Sequence, residues 1–106
     1  MRQTTKNLYR QSPTRLEEAA NFEKQITRLE DDIRRLKIDF DIYFNGSVKR
    51  PPLEARARLE SQIKRMLDNR TMTFGQRYQI NMLVSRFTSY RELWRRTLKK
   101  RGEELV

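Results

Sequence analysis

The sequence predicts an all-α protein: an elongated three-helix bundle of up-down-up order with coiled-coil-like packing. Three observations carry that reading. First, Phe22, Ile26, Leu29, Ile33, Leu36, Phe40 and Tyr43 recur at alternating steps of four and three. That is a heptad seam, with no trace of the period of two that a strand needs. Second, Ile80, Leu83, Val84, Phe87, Tyr90, Trp94 and Leu98 repeat at helical spacing further along. Third, the chain turns in only two short stretches, Asn45 to Pro52 and Arg70 to Thr73, and short connections favour antiparallel neighbours. The helices are expected at about 13–44, 52–69 and 74–101, within one domain of residues 12–102.

Taken in order, residues 1–11 are polar and aperiodic and read as a flexible basic arm. Ser12 can cap the first helix, with Pro13 at its first position, where a missing N–H costs nothing. Thr14 with Glu17 offers a capping box one step later, and Glu17 and Glu18 suit the positive end of the helix dipole. Asn45-Gly46 ends this helix, because Gly46 can take the left-handed conformation of a C-terminal cap. Pro51 and Pro52 bar helical continuation, and Pro52 suits the first position of the second helix. That helix carries Leu53, Leu59, Ile63, Met66 and Leu67 on one side and is the shortest of the three. Thr73 with Gln76 forms a further capping box for the third helix, in which Tyr78, Met82 and Leu93 are expected to broaden the apolar arc. Residues 103–106 are expected to fray.

The flanks of the heptad seam argue about its partner. Glu23, Glu30, Lys37 and Phe44 border it on one side, and Glu18, Gln25, Asp32 and Asp39 on the other. A parallel homodimer would set Glu18 against Glu23 and Gln25 against Glu30, with only Asp32 against Lys37 favourable. An acidic-flanked seam therefore wants a basic-flanked partner, and the second half of the same chain supplies one. The second helix is too short to cover its two neighbours. Some apolar surface should stay open, and a homo-oligomer, most simply a dimer, is expected.

Composition limits the function. The 106 residues carry 24 Lys and Arg against 14 Asp and Glu, a formal charge of +10. Residues 51–106 hold +7 of this and residues 1–50 only +3. The basic half would attract an acidic protein, nucleic acid or another anionic surface. Cys and His are absent, which removes disulfides, thiolate metal sites and the usual neutral-pH acid–base group. No cofactor, metal or small-molecule substrate is expected. No secretory h-region and no apolar run of bilayer length is present, so a membrane span is not expected and the cytoplasm is the default compartment.

Candidate chemistry is correspondingly narrow. The acidic pairs Asp31-Asp32 and Asp39/Asp41 point in different directions on a helix and do not converge, so no catalytic residue is assigned and no enzyme is expected. With three Gly in the chain there is no phosphate-cradling loop. Phe87, Tyr90 and Trp94 fall on the stripe of Ile80 and Leu83, which makes them core rather than base-stacking rings. What remains is an anion-binding or partner-binding face of Arg56, Arg58, Lys64 and Arg65 on the second helix and Arg86, Arg95, Arg96, Lys99 and Lys100 on the third. The proline-stiffened loop Asn45 to Pro52, with Lys49 and Arg50, is explained as a helix stop followed by a helix start. The sequence thus points to a helical protein–protein interaction module whose basic face selects an acidic partner. The alternative is a nucleic-acid- or ribosome-associated protein that grips phosphate backbone through the same face.

Overall fold

The structure is a computed structural model that describes residues 14–102. It contains three helices, α1 (Arg15–Phe44), α2 (Leu53–Leu67) and α3 (Phe74–Lys100). The arm expected at 1–11, the Ser12-Pro13 start and the tail 103–106 lie outside the described residues.

Local chemistry sets the helix ends. Thr14 caps α1: its hydroxyl accepts from the Glu17 N–H at 3.2 Å, while the Glu17 carboxylate accepts from the Thr14 N–H at 2.9 Å. The helix begins at Arg15 rather than 13, because the reciprocal box satisfies two otherwise orphan N–H groups. At the other end Gly46 has φ +85°, its N–H reaches the Tyr43 carbonyl at 2.9 Å, and the Ser47 N–H reaches Ile42 at 3.2 Å. This is the Schellman pattern, and it needs the glycine. Pro52 proves to be the N-cap of α2 and not its first residue, and α2 stops at Leu67, two residues short of expectation. Thr73 and Gln76 form the expected capping box of α3, which ends at Lys100.

The helices pack up-down-up, with α1 and α3 parallel and α2 antiparallel to both. The inter-helix contacts fix that order: Glu30 lies beside Arg86, Phe40 against Trp94, and Phe44 beside Arg101. The body measures 63 × 28 × 19 Å with a radius of gyration of 18.4 Å. A compact chain of this length would have a radius near 13 Å, so the bundle is elongated. The thirty residues of α1 run about 45 Å at 1.5 Å per residue, and the fifteen of α2 only half that.

One core runs the length of the bundle. Phe22, Leu29, Ile33, Leu36, Phe40 and Tyr43 of α1 meet Leu59, Ile63 and Met66 of α2 and Ile80, Leu83, Phe87, Trp94 and Leu98 of α3. Ile26, Val84 and Tyr90 pack half-buried at its margin. Trp94 is the centre of an aromatic cluster: Phe40 stacks on it with ring centroids 4.1 Å apart and planes 12° apart, Tyr90 stacks at 5.9 Å, and Phe87 meets it edge-on at 6.3 Å. One expectation fails. Tyr78, Met82 and Leu93 do not broaden the buried arc; they are 62%, 54% and 51% exposed. The arc of α3 that faces the other two helices is occupied by Ile80, Leu83, Phe87, Trp94 and Leu98, and these three lie on the opposite side of the helix.

Candidate functional site

The basic side chains that the sequence groups on one face are distributed by the fold over several places. Arg56 is largely buried between α2 and α3, and Glu60 lies between it and Arg91, at 3.7 and 3.4 Å. Arg86 crosses from α3 to Glu30 of α1 at 3.7 Å. Arg95 is held by Glu92 within its own helix at 2.6 Å. That charge-assisted hydrogen bond lowers the Glu92 carboxyl below its ordinary pKa and raises the Arg95 guanidinium. Lys64, Arg96, Lys99 and Lys100 are exposed and make no ion pair within 4 Å among the described residues.

Arg58 and Arg65 go elsewhere. They line an open groove of about 1010 Å³ between α1 and α2, facing Arg28 and Arg35 of α1. In both helices the two arginines are seven residues apart, which puts them on one line about 10 Å apart along the axis. None of the four makes an ion pair within 4 Å among the described residues. Asp32 and Asp39 of α1 and Gln25, Gln62 and Asn69 complete the polar walls. Phe22, Leu36, Leu59, Met66 and Met72 form an apolar floor, and the small residues Ala55, Ala57 and Ser61 keep the α2 wall low. No residue of α3 lines the groove. The seam and its acidic flanks do not by themselves point to Arg28 and Arg35. The available signal is their seven-residue repeat just outside the flank of Asp32 and Asp39.

The acidic flanks of α1 are therefore used sparingly in cis. Glu30 alone reaches a cation on another helix among the ion pairs described, whereas Asp31 binds Arg34 and Asp41 binds Lys37 within α1. The Asp41 hydrogen bond raises the pKa of Lys37. Arg101, the C-cap of α3, reaches across to the end of α1. Its Nη1 donates to the Phe44 carbonyl at 3.4 Å, and its guanidinium sits 5.4 Å from the Tyr43 and Phe44 ring centroids. No basic residue occupies the last turn of α1, so Arg101 brings a cation from α3 to the negative end of that helix.

No cluster of three or more Asp and Glu that could hold a metal is found among the described residues, nor any helix long and apolar enough to cross a membrane. No protein-family model, curated protein or solved structure matches the chain. The functional reading rests on geometry alone.

Proposed function

We propose that the protein is a non-catalytic helical interaction module whose α1/α2 groove binds an acidic amphipathic helix of a partner protein. The observation that carries this reading is the set of four arginines, Arg28, Arg35, Arg58 and Arg65, left without ion pairs around an apolar-floored groove. A helix laid in such a groove places apolar residues on the floor and carboxylates against the guanidinium groups, where bidentate hydrogen bonds form. The seven-residue spacing of the arginines sets the partner's pattern: acidic residues seven apart, two helical turns. Asp32 and Asp39 lie in the same groove and repel a continuous phosphate chain, which favours an acidic helix over the nucleic-acid alternative. The cytoplasm is the compartment this reading assumes, and a homodimer is its simplest assembly.

The test is fluorescence anisotropy with three probes: an amphipathic peptide bearing Glu at seven-residue spacing, the same peptide with Lys in place of Glu, and a short RNA duplex. The Glu peptide should bind, more weakly as salt rises. The double variant Arg58→Glu, Arg65→Glu should lose that binding with helicity unchanged by circular dichroism. Tight RNA binding abolished by the same variant, with no affinity for the Glu peptide, would replace this reading with the nucleic-acid one.

A further inference from the structure

The outer side of α3 carries an apolar line that neither neighbouring helix covers. Phe74 is 90% exposed, and Tyr78, Met82 and Leu93 are more than half exposed. Helical periodicity puts these four on one side, opposite Ile80, Leu83, Phe87 and Trp94, with Ser85 and Ser89 between them. From Phe74 to Leu93 the line runs about 28 Å. Exposed aromatic and aliphatic residues so arranged mark an interaction surface rather than scattered surface apolars.

The geometry points to a second copy of this chain as the occupant, paired antiparallel through α3 about a twofold axis at Ser85. The observation that selects this arrangement is charge. Among the residues of α3, Glu92 is the lone acid against seven bases; its carboxylate holds Arg95 within the helix and has lone pairs left for a second guanidinium. Arg77 borders the line on the same side as Glu92. In an antiparallel pair, borders of the same side meet. A twofold axis at Ser85 sets Arg77 and Tyr78 of one copy level with Glu92 and Leu93 of the other. Each interface then gains two Arg77–Glu92 ion pairs and two Tyr78–Leu93 apolar contacts, because an isologous interface makes every contact twice. Phe74 comes level with Arg96 of the other copy, a guanidinium beside an exposed ring. Ser85 and Ser89 at the centre have no bulk to hold the helices apart. Parallel pairing does the reverse: it brings Arg95 towards Lys100 of the other copy and leaves Glu92 against Thr97.

This inference rests on the reading of the protein as an interaction module only in its assembly. The groove and the α3 line share no residue, so each can fail alone. The experiment is light scattering after size-exclusion chromatography on the full chain, across protein concentration, with circular dichroism as the folding control. The wild type should be a dimer, and Leu93→Asp should be monomeric with unchanged helicity. Arg77→Glu and Glu92→Arg should each weaken the dimer about tenfold. The double variant carrying both changes should recover it, because the swap restores the pair in an antiparallel interface and in no parallel one. A wild type that stays monomeric at its highest soluble concentration overturns the proposal. So does a dimer that Leu93→Asp leaves intact, or one that the double swap weakens further than either single change. The monomeric Leu93→Asp protein should still bind the Glu peptide, which separates failure of this interface from failure of the groove.

Discussion

The two flanks of α1 begin from similar chemistry and end differently. On the side of Glu23, Glu30 and Phe44, α3 runs parallel for the whole length of α1 and closes against it. Phe40 stacks on Trp94, Glu30 reaches Arg86, and Arg101 covers Tyr43 and Phe44. On the side of Gln25, Asp32 and Asp39, the shorter α2 presents Ala55, Ala57 and Ser61, and the flank stays open as a groove with its arginines unpaired. Carboxylates on an acidic flank do not find cations merely because the next helix is basic. They pair where bulky side chains fix the helices' separation and aim a guanidinium across. Where small residues line the seam, long arginine side chains turn outward and keep their charge in water.

The largest way to break the closed side is Trp94→Ala. It removes the ring on which Phe40, Tyr90 and Phe87 converge, and the fully buried site cannot refill. The expected cost is about 3–5 kcal/mol in chemical denaturation. Ile33→Ala lies on the seam shared by both sides and should cost roughly 2–5 kcal/mol. A cost under about 1 kcal/mol at either position would mean that the core is looser than its burial indicates.

Arg101→Gln is the next step down. It deletes the cation over the Tyr43 and Phe44 rings and the charge at the end of α1, and should cost on the order of 1 kcal/mol. The change should leave the α1/α2 groove untouched, so binding of the Glu peptide is the internal control. Thr14→Ala and Thr73→Ala should each cost about 1 kcal/mol through loss of a capping box. The two boxes share no hydrogen-bond partner, so their effects should add. Thermal melts of the two single variants and the double variant measure this.

These contrasts also mark what could be read from residues alone. The heptad seam, the breaks at Gly46 and Pro51-Pro52, and both capping boxes are local patterns, and they fixed three helices and nearly all of the core. The start of α1 is open in the sequence, because Ser12 and Thr14 both carry a cap-competent hydroxyl; the fold shows Thr14 in that role. Tyr78, Met82 and Leu93 were misplaced for a different reason. Periodicity says that residues share a side of a helix, but not how much of the helix its neighbours cover. The basic face does not stay together, because Arg56 lies between α2 and α3, Arg86 reaches Glu30 of α1, and Arg58 turns to the open α1/α2 groove. The direction of a side chain on a bundle depends on where the other two helices lie, which no single helical pattern contains. Arg101 over Tyr43 and Phe44 joins residues more than fifty positions apart, and nothing near either end announces it.

The smallest effects give the sharpest test of the comparison, because the two sides should differ in sign. On the closed side, Arg86→Gln removes a cation that lies 3.7 Å from Glu30, with both side chains close to half exposed, and should destabilise by a few tenths of a kcal/mol. In the groove, Arg35→Gln removes one of four arginines that repel one another, with Asp32 and Asp39 the only carboxylates lining the same groove. It should be neutral or slightly stabilising, within about 0.5 kcal/mol. Asp32→Asn should go the other way, since it leaves the four guanidinium groups with one carboxylate. Raising salt should shrink all three differences, because each is a screened surface interaction. Denaturation midpoints at low and high ionic strength measure the signs directly. A clear loss of stability on Arg35→Gln would mean that the guanidinium is already engaged in the folded chain, and the groove would then hold less free positive charge for a partner than its four arginines provide.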